Sequence, residues 1–387
     1  MANNVIIFTI LIMYELKQLF KKLSQIPWSI ILIMSFIIFT GLALLYSAAQ
    51  GNMNPWASKQ LIHFAIFLPL MIMISIVNIK IWYRLSYLSY FLVIILLLLI
   101  ELFGHKAMGA VRWINLGFIR LQPSELMKLC LVLSLARYFH TMSYNNIGKI
   151  YYLLIPVAMT LVPFLLIMKQ PDLGTAIILL AVAGAMFFAT GVSAKKFMVV
   201  IICMCALGPV IWHNLYDYQQ KRVLNFLSPE KDALGSGYNI IQSKIAIGSG
   251  GLWGKGLING SQSQLDFLPE HQTDFIFTMM AEELGFIYCT AVIIVYGIII
   301  MFGIYTSVNS RHHYGRMVAI GVTSLFFLHI LINIAMVMGM MPAVGVPLPL
   351  LSYGGTITMT SLIGIGLLIN CYIHNNVYIG RQASELL

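Results

Sequence analysis

The sequence predicts an all-α, polytopic integral membrane protein of about ten transmembrane helices, with a large extracytoplasmic loop between spans seven and eight. Three observations predict it. Of 387 residues, 60% are hydrophobic and only 9% charged, whereas a soluble domain carries about 25% charged residues. The apolar residues fall in runs near the ~20 needed to cross a hydrocarbon core about 30 Å thick. The short connections between alternate runs are basic, as the positive-inside rule requires of cytoplasmic loops.

Residues 1–27 are expected to form an N-terminal amphipathic, cytoplasmic leader. The apolar run 5–13 has no basic residues ahead of it and no small-residue cleavage pattern behind it, so it does not read as a secretory signal. In the following stretch Leu16, Leu19, Phe20 and Leu23 recur at helical spacing opposite Lys17, Lys21 and Lys22, the pattern of a helix lying on a membrane surface. Residues 28–387 are read as one transmembrane domain. Its spans are expected near 28–48, 60–78, 81–102, 123–140, 150–168, 172–191, 197–213, 275–305, 316–339 and 353–373. The very short turn 78–84 makes the second and third an antiparallel pair.

With the N-terminus inside, the cytoplasmic segments hold Lys17, Lys21, Lys22, Lys80, Arg84, Arg137, Lys149, Lys195, Lys196, Arg311, Arg316 and Arg381, or 12 of the 23 basic residues. They sit on the short connections that weigh most in setting orientation. Both termini are therefore predicted to be cytoplasmic. Two long segments, 103–122 and 214–274, are left outside, and loops of that size tend to carry function.

The net charge of +10 comes from basic residues scattered between apolar runs. That distribution suits membrane orientation and anionic headgroups, not nucleic acid. Cys130, Cys203, Cys205, Cys289 and Cys371 lie in apolar segments with no paired spacing, so neither a disulfide framework nor a zinc site follows. The nine histidines are equally dispersed.

Chemistry is expected at the outer ends of the spans. Glu125, Lys128, Asp172 and Asp274 all fall there, and Asp274 stands in the mouth of a span. Taken singly, a carboxylate behind Pro123 or Pro171 reads as a first-turn helix cap. Three carboxylates and a lysine at one membrane level point instead to a polar, outward-facing cavity. Glu125 and Lys128 are three apart and share a helix face, which permits an ion pair. The long outer loop adds Arg222, Lys244 and Lys255, with a glycine-rich stretch, Gly248-Ser-Gly-Gly-Leu-Trp-Gly-Lys-Gly256. Basic groups and glycine backbone can cradle phosphate, although no Walker spacing is present and tight turns alone would account for the glycines. Residues 240–247 read as a helix resting on the outer leaflet. The segment from Pro342 to Gly355 holds three prolines and three glycines, so it cannot be a regular helix and should pack against the cavity wall. Glu282 and Glu283 lie deeper in the eighth span, where Glu282 reads as a group ordering neighbouring helices and Glu283 requires a partner of its own.

The chain resembles the SEDS family of bacterial membrane proteins (shape, elongation, division and sporulation). The resemblance is carried by Arg112-Trp-Ile-Asn115, Gln122-Pro-Ser-Glu-Leu-Met-Lys128, Gln170-Pro-Asp-Leu-Gly-Thr175, Gly237-Tyr-Asn-Ile-Ile-Gln-Ser-Lys-Ile-Ala-Ile-Gly248 and the regions of Asp274 and Ser352-Tyr-Gly-Gly355. It covers nearly the whole chain after residue 28, and Gly260-Ser-Gln-Ser-Gln-Leu-Asp-Phe-Leu-Pro-Glu270 is similar to the elongation branch, not the division branch. One departure is visible: Gln272 stands directly before Thr273-Asp274, where the family commonly has histidine.

The resemblance implies a peptidoglycan glycosyltransferase in the bacterial cytoplasmic membrane. It would polymerise lipid II, the undecaprenyl-diphosphate-linked disaccharide pentapeptide, during elongation and rod-shape maintenance. By the same resemblance Asp274 is the catalytic residue, Glu125, Lys128 and Asp172 organise the cavity, and a class B penicillin-binding protein is the transpeptidase partner. A C4 hydroxyl displacing diphosphate from an α-linked donor to give a β-1,4 glycan needs a base, the role expected of Asp274. Lys128, Arg222, Lys244 and Lys255 are candidates to stabilise the diphosphate, with or without a divalent cation, Mg or Mn; no Asp-x-Asp motif points to its ligands. Two other readings are open to the sequence. A flippase or transporter of lipid-linked precursor would also need many spans and buried charges, and a non-catalytic scaffold of the wall-synthesis complex would not need Asp274.

Overall fold

A computed structural model describes residues 17, 21–103, 105–107, 110–115, 120–143, 146–214, 217–228, 236–264, 268 and 270–380. Most of the expected leader, 1–16 and 18–20, lies outside the described residues. The chain is mainly helical: α1 Trp28–Ala48, α2 Ala57–Ile76, α3 Ile79–Phe103, α4 Pro123–Thr141, α5 Ile150–Lys169, α6 Leu173–Ala189, α7 Ala194–Ala206, α8 Gly208–Asn214, α9 Asp217–Leu227, α10 Ser236–Ser249, α11 Ser261–Gln264, α12 Ile276–Asn309, α13 His313–Val337 and α14 Gly355–Ile373.

Among the described residues seven helices are long and apolar enough to cross a membrane: α1, α2, α3, α5, α12, α13 and α14. Three other expected spans differ from that pattern for separate reasons. Helix α4 has 19 residues but carries Glu125, Lys128 and Arg137 among them. Helix α6 has 17 residues. The expected span 197–213 is two helices, α7 and α8, broken at Leu207. No residue of α7 is buried, and Met198, Val199, Val200, Ile201, Ile202 and Met204 are all exposed. A helix apolar on every side is at home in lipid rather than in water.

The all-α expectation needs one correction. Segment 103–122 carries three short antiparallel strands, β1 His105–Ala107, β2 Ala110–Asn115 and β3 Arg120–Leu121, in the order β1-β2-β3. Ile114 pairs with Leu121 and Asn115 with Arg120. The strands satisfy backbone polar groups that an irregular loop over the membrane would leave to water.

The bundle closes through polar side chains that reach across helices and through small residues that let backbones approach. Asn370 Nδ2 of α14 donates to Ile74 O (3.0 Å) and Ser75 O (3.0 Å), capping carbonyls at the end of α2. A Cβ on Gly366 would lie 2.8 Å from Met71 O, and one on Gly41 of α1 would lie 2.6 Å from Leu351 O. Arg137 of α4 donates to Tyr83 O (3.0 Å) and sits 4.8 and 4.4 Å from the ring centres of Tyr83 and Tyr87, which locks α4 to α3.

Helix α12 is interrupted at Gly285, whose φ of 77° and ψ of −179° lie outside any helix. Only glycine takes that conformation at low cost. The glycine-rich stretch fills the break. Phe286 N–H donates to Gly251 O (3.0 Å) and Ile287 N–H to Leu252 O (3.2 Å), while Glu282 O and Glu283 O accept from the N–H groups of Lys255 (3.0 Å) and Gly256 (2.9 Å). Backbones must almost touch for this. A Cβ on Gly250 would lie 2.0 Å from Ala281 O, and one on Gly254 2.2 Å from Glu283 O. These glycines brace a transmembrane helix; they do not form the phosphate cradle that their composition allowed.

Candidate active site at the outer ends of the helices

Asp274 stands two residues before α12, on a turn held from three sides. Asn333 Nδ2, from α13, donates to Asp274 O (2.9 Å) and to Val346 O (2.6 Å). Ser352 Oγ donates to Thr273 O (2.7 Å) and accepts from Leu348 N–H (2.8 Å). Tyr353 N–H donates to Gln272 O (3.0 Å). The Pro342–Gly355 segment thus packs against the site as expected, and its Ser352-Tyr353 pair splints the aspartate's backbone. Gln272, the residue in the family's histidine position, turns to Glu270 Oε2 (3.3 Å).

The Asp274 side chain faces a cavity of about 190 Å³ lined by Arg222, Asn239, Glu270, Asp274, Phe275, Met336, Ala343 and Gly345. Gly345 has φ 73°, and a Cβ there would sit 3.2 Å from Asp274 Oδ2, so glycine keeps the carboxylate's surroundings open. Burial, then the nearby charge of Glu270, raises the Asp274 pKa from 3.8 to about 6; Arg222 opposes that rise and Asp172 adds to it. Arg222, on α9, is held by Val344 O (3.3 Å), part of the same proline-rich segment.

Asp172 is the N-cap of α6, its Oδ1 accepting from Thr175 N–H (3.4 Å). Its other oxygen accepts from Gln122 Nε2 (2.8 Å) and Ser124 Oγ (3.2 Å). Pro171 therefore precedes the cap instead of occupying the first turn, whereas Pro123 does open α4. Arg112 Nε donates to Gln170 O (2.8 Å) and a second guanidinium nitrogen to Pro171 O, which ties the strand segment to this corner. Gly174 lets α6 abut the cavity wall: a Cβ there would lie 3.0 Å from Val344 O.

Glu125 and Lys128 form the expected ion pair at 2.7 Å, and both are buried. They do not line the Asp274 cavity. Glu125 borders a separate void of about 10 Å³ with His329, Pro349 and Thr360. Lys128 Nζ also donates to His329 Nε2 (2.8 Å), and His329 Nδ1–H reaches Pro347 O (3.4 Å). The pair holds the proline-rich segment from behind. Sequence reasoning missed His329 and Asn333. Their signal was two polar residues four apart inside an apolar run, hence on one helix face.

Lys255 is placed away from the cavity. Its Nζ pairs with Glu282 Oε1 (2.7 Å) and donates to Ser261 Oγ (3.0 Å), which braces α11 against α12. Lys244 lies exposed on α10, packed beside Gly339. Residues 240–247 are helical as expected, but Ser243 docks the helix onto protein, bonding Thr278 Oγ1 (2.7 Å) and Val337 O (2.8 Å). Glu283 has its partner in Ser47, whose Oγ lies 2.7 Å from the carboxylate. Among the described residues no three His, Cys, Asp or Glu side chains cluster as metal ligands.

Residues 21–377 match the model of the cell cycle protein family of FtsW, RodA and SpoVE. The chain is 36% identical over 367 residues to peptidoglycan glycosyltransferase MrdB of Escherichia coli, covering 93% of this chain and 97% of that one. It is 34% identical over 364 residues to stage V sporulation protein E of Bacillus subtilis, covering 90% and 97%. A solved chain from a peptidoglycan synthase complex that coordinates polymerization and crosslinking superposes with a TM-score of 0.80 at 27% identity, covering 91% of this chain and 98% of that one. The rod shape determining protein RodA of Thermus thermophilus shares the fold, with a TM-score of 0.69 at 23% identity over 91% and 98% of the two chains.

Proposed function

We propose, from the premise that this chain belongs to the FtsW, RodA and SpoVE family of cell cycle proteins, that it is a peptidoglycan glycosyltransferase polymerising lipid II with Asp274 as general base. The observation that carries this reading is that Asp274 and Arg222, a carboxylate and a guanidinium, line one cavity. In the reaction the C4 hydroxyl of one saccharide attacks the anomeric carbon of another. The new C–O bond forms as the bond to diphosphate breaks, with inversion, and the hydroxyl proton passes to the Asp274 carboxylate. A base works best when its pKa lies near the working pH, and a value of about 6 leaves Asp274 mostly ionised at neutral pH yet able to hold a proton. The departing diphosphate needs charge stabilisation, not a general acid. Arg222 is the cation on the cavity wall that would meet that charge.

Glu270, the other carboxylate on that wall, fits the way Mg²⁺ is held by one or two carboxylates together with substrate phosphates. A divalent cation bound there would neutralise diphosphate charge. Asp172, through its hydrogen bonds to Gln122 and Ser124, positions the α4 and α6 ends beside the cavity, and the Glu125–Lys128 pair supports the wall behind it.

With α4, α6 and the broken α7–α8 counted beside the seven long helices, ten spans together with the basic short connections support both termini in the cytoplasm and the site on the outer side. Arg222, Asn239 and Glu270, from the loop 214–274, then line the cavity on that side. A chain from a complex that also crosslinks superposes on this one, which supports a class B penicillin-binding protein as partner.

The test is glycan synthesis from lipid II by the purified chain and by Asp274→Asn, with and without a chelator. Polymer from the first and none from the second is the expected result. Equal polymer from both rejects Asp274 as the base, and loss on chelation restored by Mg or Mn would establish the cation.

A further inference from the structure

The hairpin that fills the break in α12 presents a second, apolar face. At its tip Leu252 is 61% and Trp253 79% exposed, and beside them on α12 Phe286 is 64% exposed. The two backbone bonds from Phe286 and Ile287 to Gly251 and Leu252 fix the tip at this level. Leu257 and Ile258, on the returning arm, are exposed as well.

The level can be read from α12. Above the break, 276–283 are all buried in protein, and below it Phe286, Ile287, Ile293 and Ile294 form an exposed apolar stripe. Residues from Phe286 to Asn309 span about 36 Å at 1.5 Å per residue, enough by themselves for a core about 30 Å thick. The hairpin tip therefore meets the outer edge of the hydrocarbon. The arm's one charge, Lys255, is compensated by Glu282. The returning arm also rests on the outer end of α1, where Ile258 N–H donates to Ser47 Oγ (2.9 Å).

We propose that residues 250–258 form a re-entrant element whose Leu252–Trp253 tip inserts into the outer leaflet at the headgroup–acyl boundary, anchoring the brace of α12 to lipid. Continuity with the apolar stripe of α12 singles out lipid as the occupant. Tryptophan suits that depth, because its ring is apolar while its N–H can reach headgroup oxygens.

Tryptophan emission tests this in vesicles of phosphatidylcholine brominated at shallow or at deep acyl positions. The difference between the full chain and Trp253→Phe isolates this residue from the other five tryptophans, and its exposure makes the substitution mild. Shallow bromines are expected to quench the difference signal about twofold more than deep ones, as an interfacial ring requires. In unbrominated vesicles aqueous iodide is expected to leave it unchanged. Moving the reporter by Leu252→Trp in the Trp253→Phe background should give the same order. Emission indifferent to bromine and quenched by iodide overturns the proposal, and so does stronger quenching by the deep bromines.

Discussion

As the proposed base, Asp274 would serve catalysis at the expense of stability. Its carboxyl is raised from 3.8 to about 6, first by burial and then by Glu270, so between those values the folded state binds more protons than the unfolded one. Stability is then greatest below pH 3.8 as far as this group is concerned, and falls as pH rises toward 6. Asp274→Asn removes that cost and should melt no lower than the parent at pH 8, and higher if the rest of the site is unchanged. The same substitution should lower polymerisation by about 10²- to 10⁴-fold, the usual worth of a positioned base. A Tm and a turnover number measured on one preparation check both, and a stabilised but active variant would contradict the assignment. With Asp274 intact, the rate on lipid II should climb through about pH 6 and then level, because the base must be ionised to accept the hydroxyl proton. Asp274 itself was legible in the sequence, since a charge at the mouth of an apolar run is rare. Its splints were not, because Asn333, Ser352 and Tyr353 meet it only through a fold that joins positions about 60 to 80 residues apart.

At the scale of elements, the break in α12 and the pair behind the proline-rich segment each carry a prediction. Gly285→Ala demands a side chain at φ 77° and puts its Cβ 2.3 Å from Gly254 N. Strain of this kind costs about 1–3 kcal/mol before any clash is relieved. The variant should show a lower Tm and lose activity without touching the cavity, and an unchanged Tm would mean that the hairpin bonds do not hold the helix. Glu125→Gln leaves the buried Lys128 ammonium beside a neutral amide and His329, with no opposite charge, and uncompensating one member of a buried ion pair costs up to about 3–5 kcal/mol. Glu125→Gln with Lys128→Met should recover much of the Tm that the single change loses; a double variant no better than the single would show the pair is not coupled. The sequence made the Glu125–Lys128 pair legible by spacing alone, and it made the proline-rich segment irregular. It left the glycine-rich stretch open between a phosphate cradle and tight turns, because composition cannot tell a loop that approaches phosphate from one that approaches a neighbouring backbone. The decisive partner, Gly285, lies about 30 residues away from those glycines. The same limit hid the three strands of 103–122, which lack the long alternating pattern by which strands are read.

For the whole molecule, the apolar runs located the less regular helices as well as the long ones, but not their interruptions. Helix α4 reads as a span despite Glu125, Lys128 and Arg137, whereas the break at Leu207 that divides 197–213 into α7 and α8 leaves no mark in an apolar run. Orientation rests on basic residues, and it decides whether Asp274 can meet a substrate outside. Contacts also separate the two ends of the bundle. The turn of Asp274, the α6 cap at Asp172, the α9 residue Arg222 and the 342–355 segment converge at one end of the bundle. The opposite end carries Arg311 and Arg316, whose loop is joined to the end of α14 by Arg311 N–H donating to Asn375 O (3.1 Å). Single cysteines in exposed turns read the two ends directly. In a Cys203→Ser, Cys205→Ser background, Asn52→Cys reports the turn after α1 and Asn309→Cys the last residue of α12. A membrane-impermeant maleimide should modify Asn52→Cys in intact spheroplasts and reach Asn309→Cys only after permeabilisation. The reverse pattern would turn the cavity toward the cytoplasm, and then neither an outward glycan polymerase nor an outer-leaflet hairpin could stand, whatever the fate of Asp274 in a detergent assay.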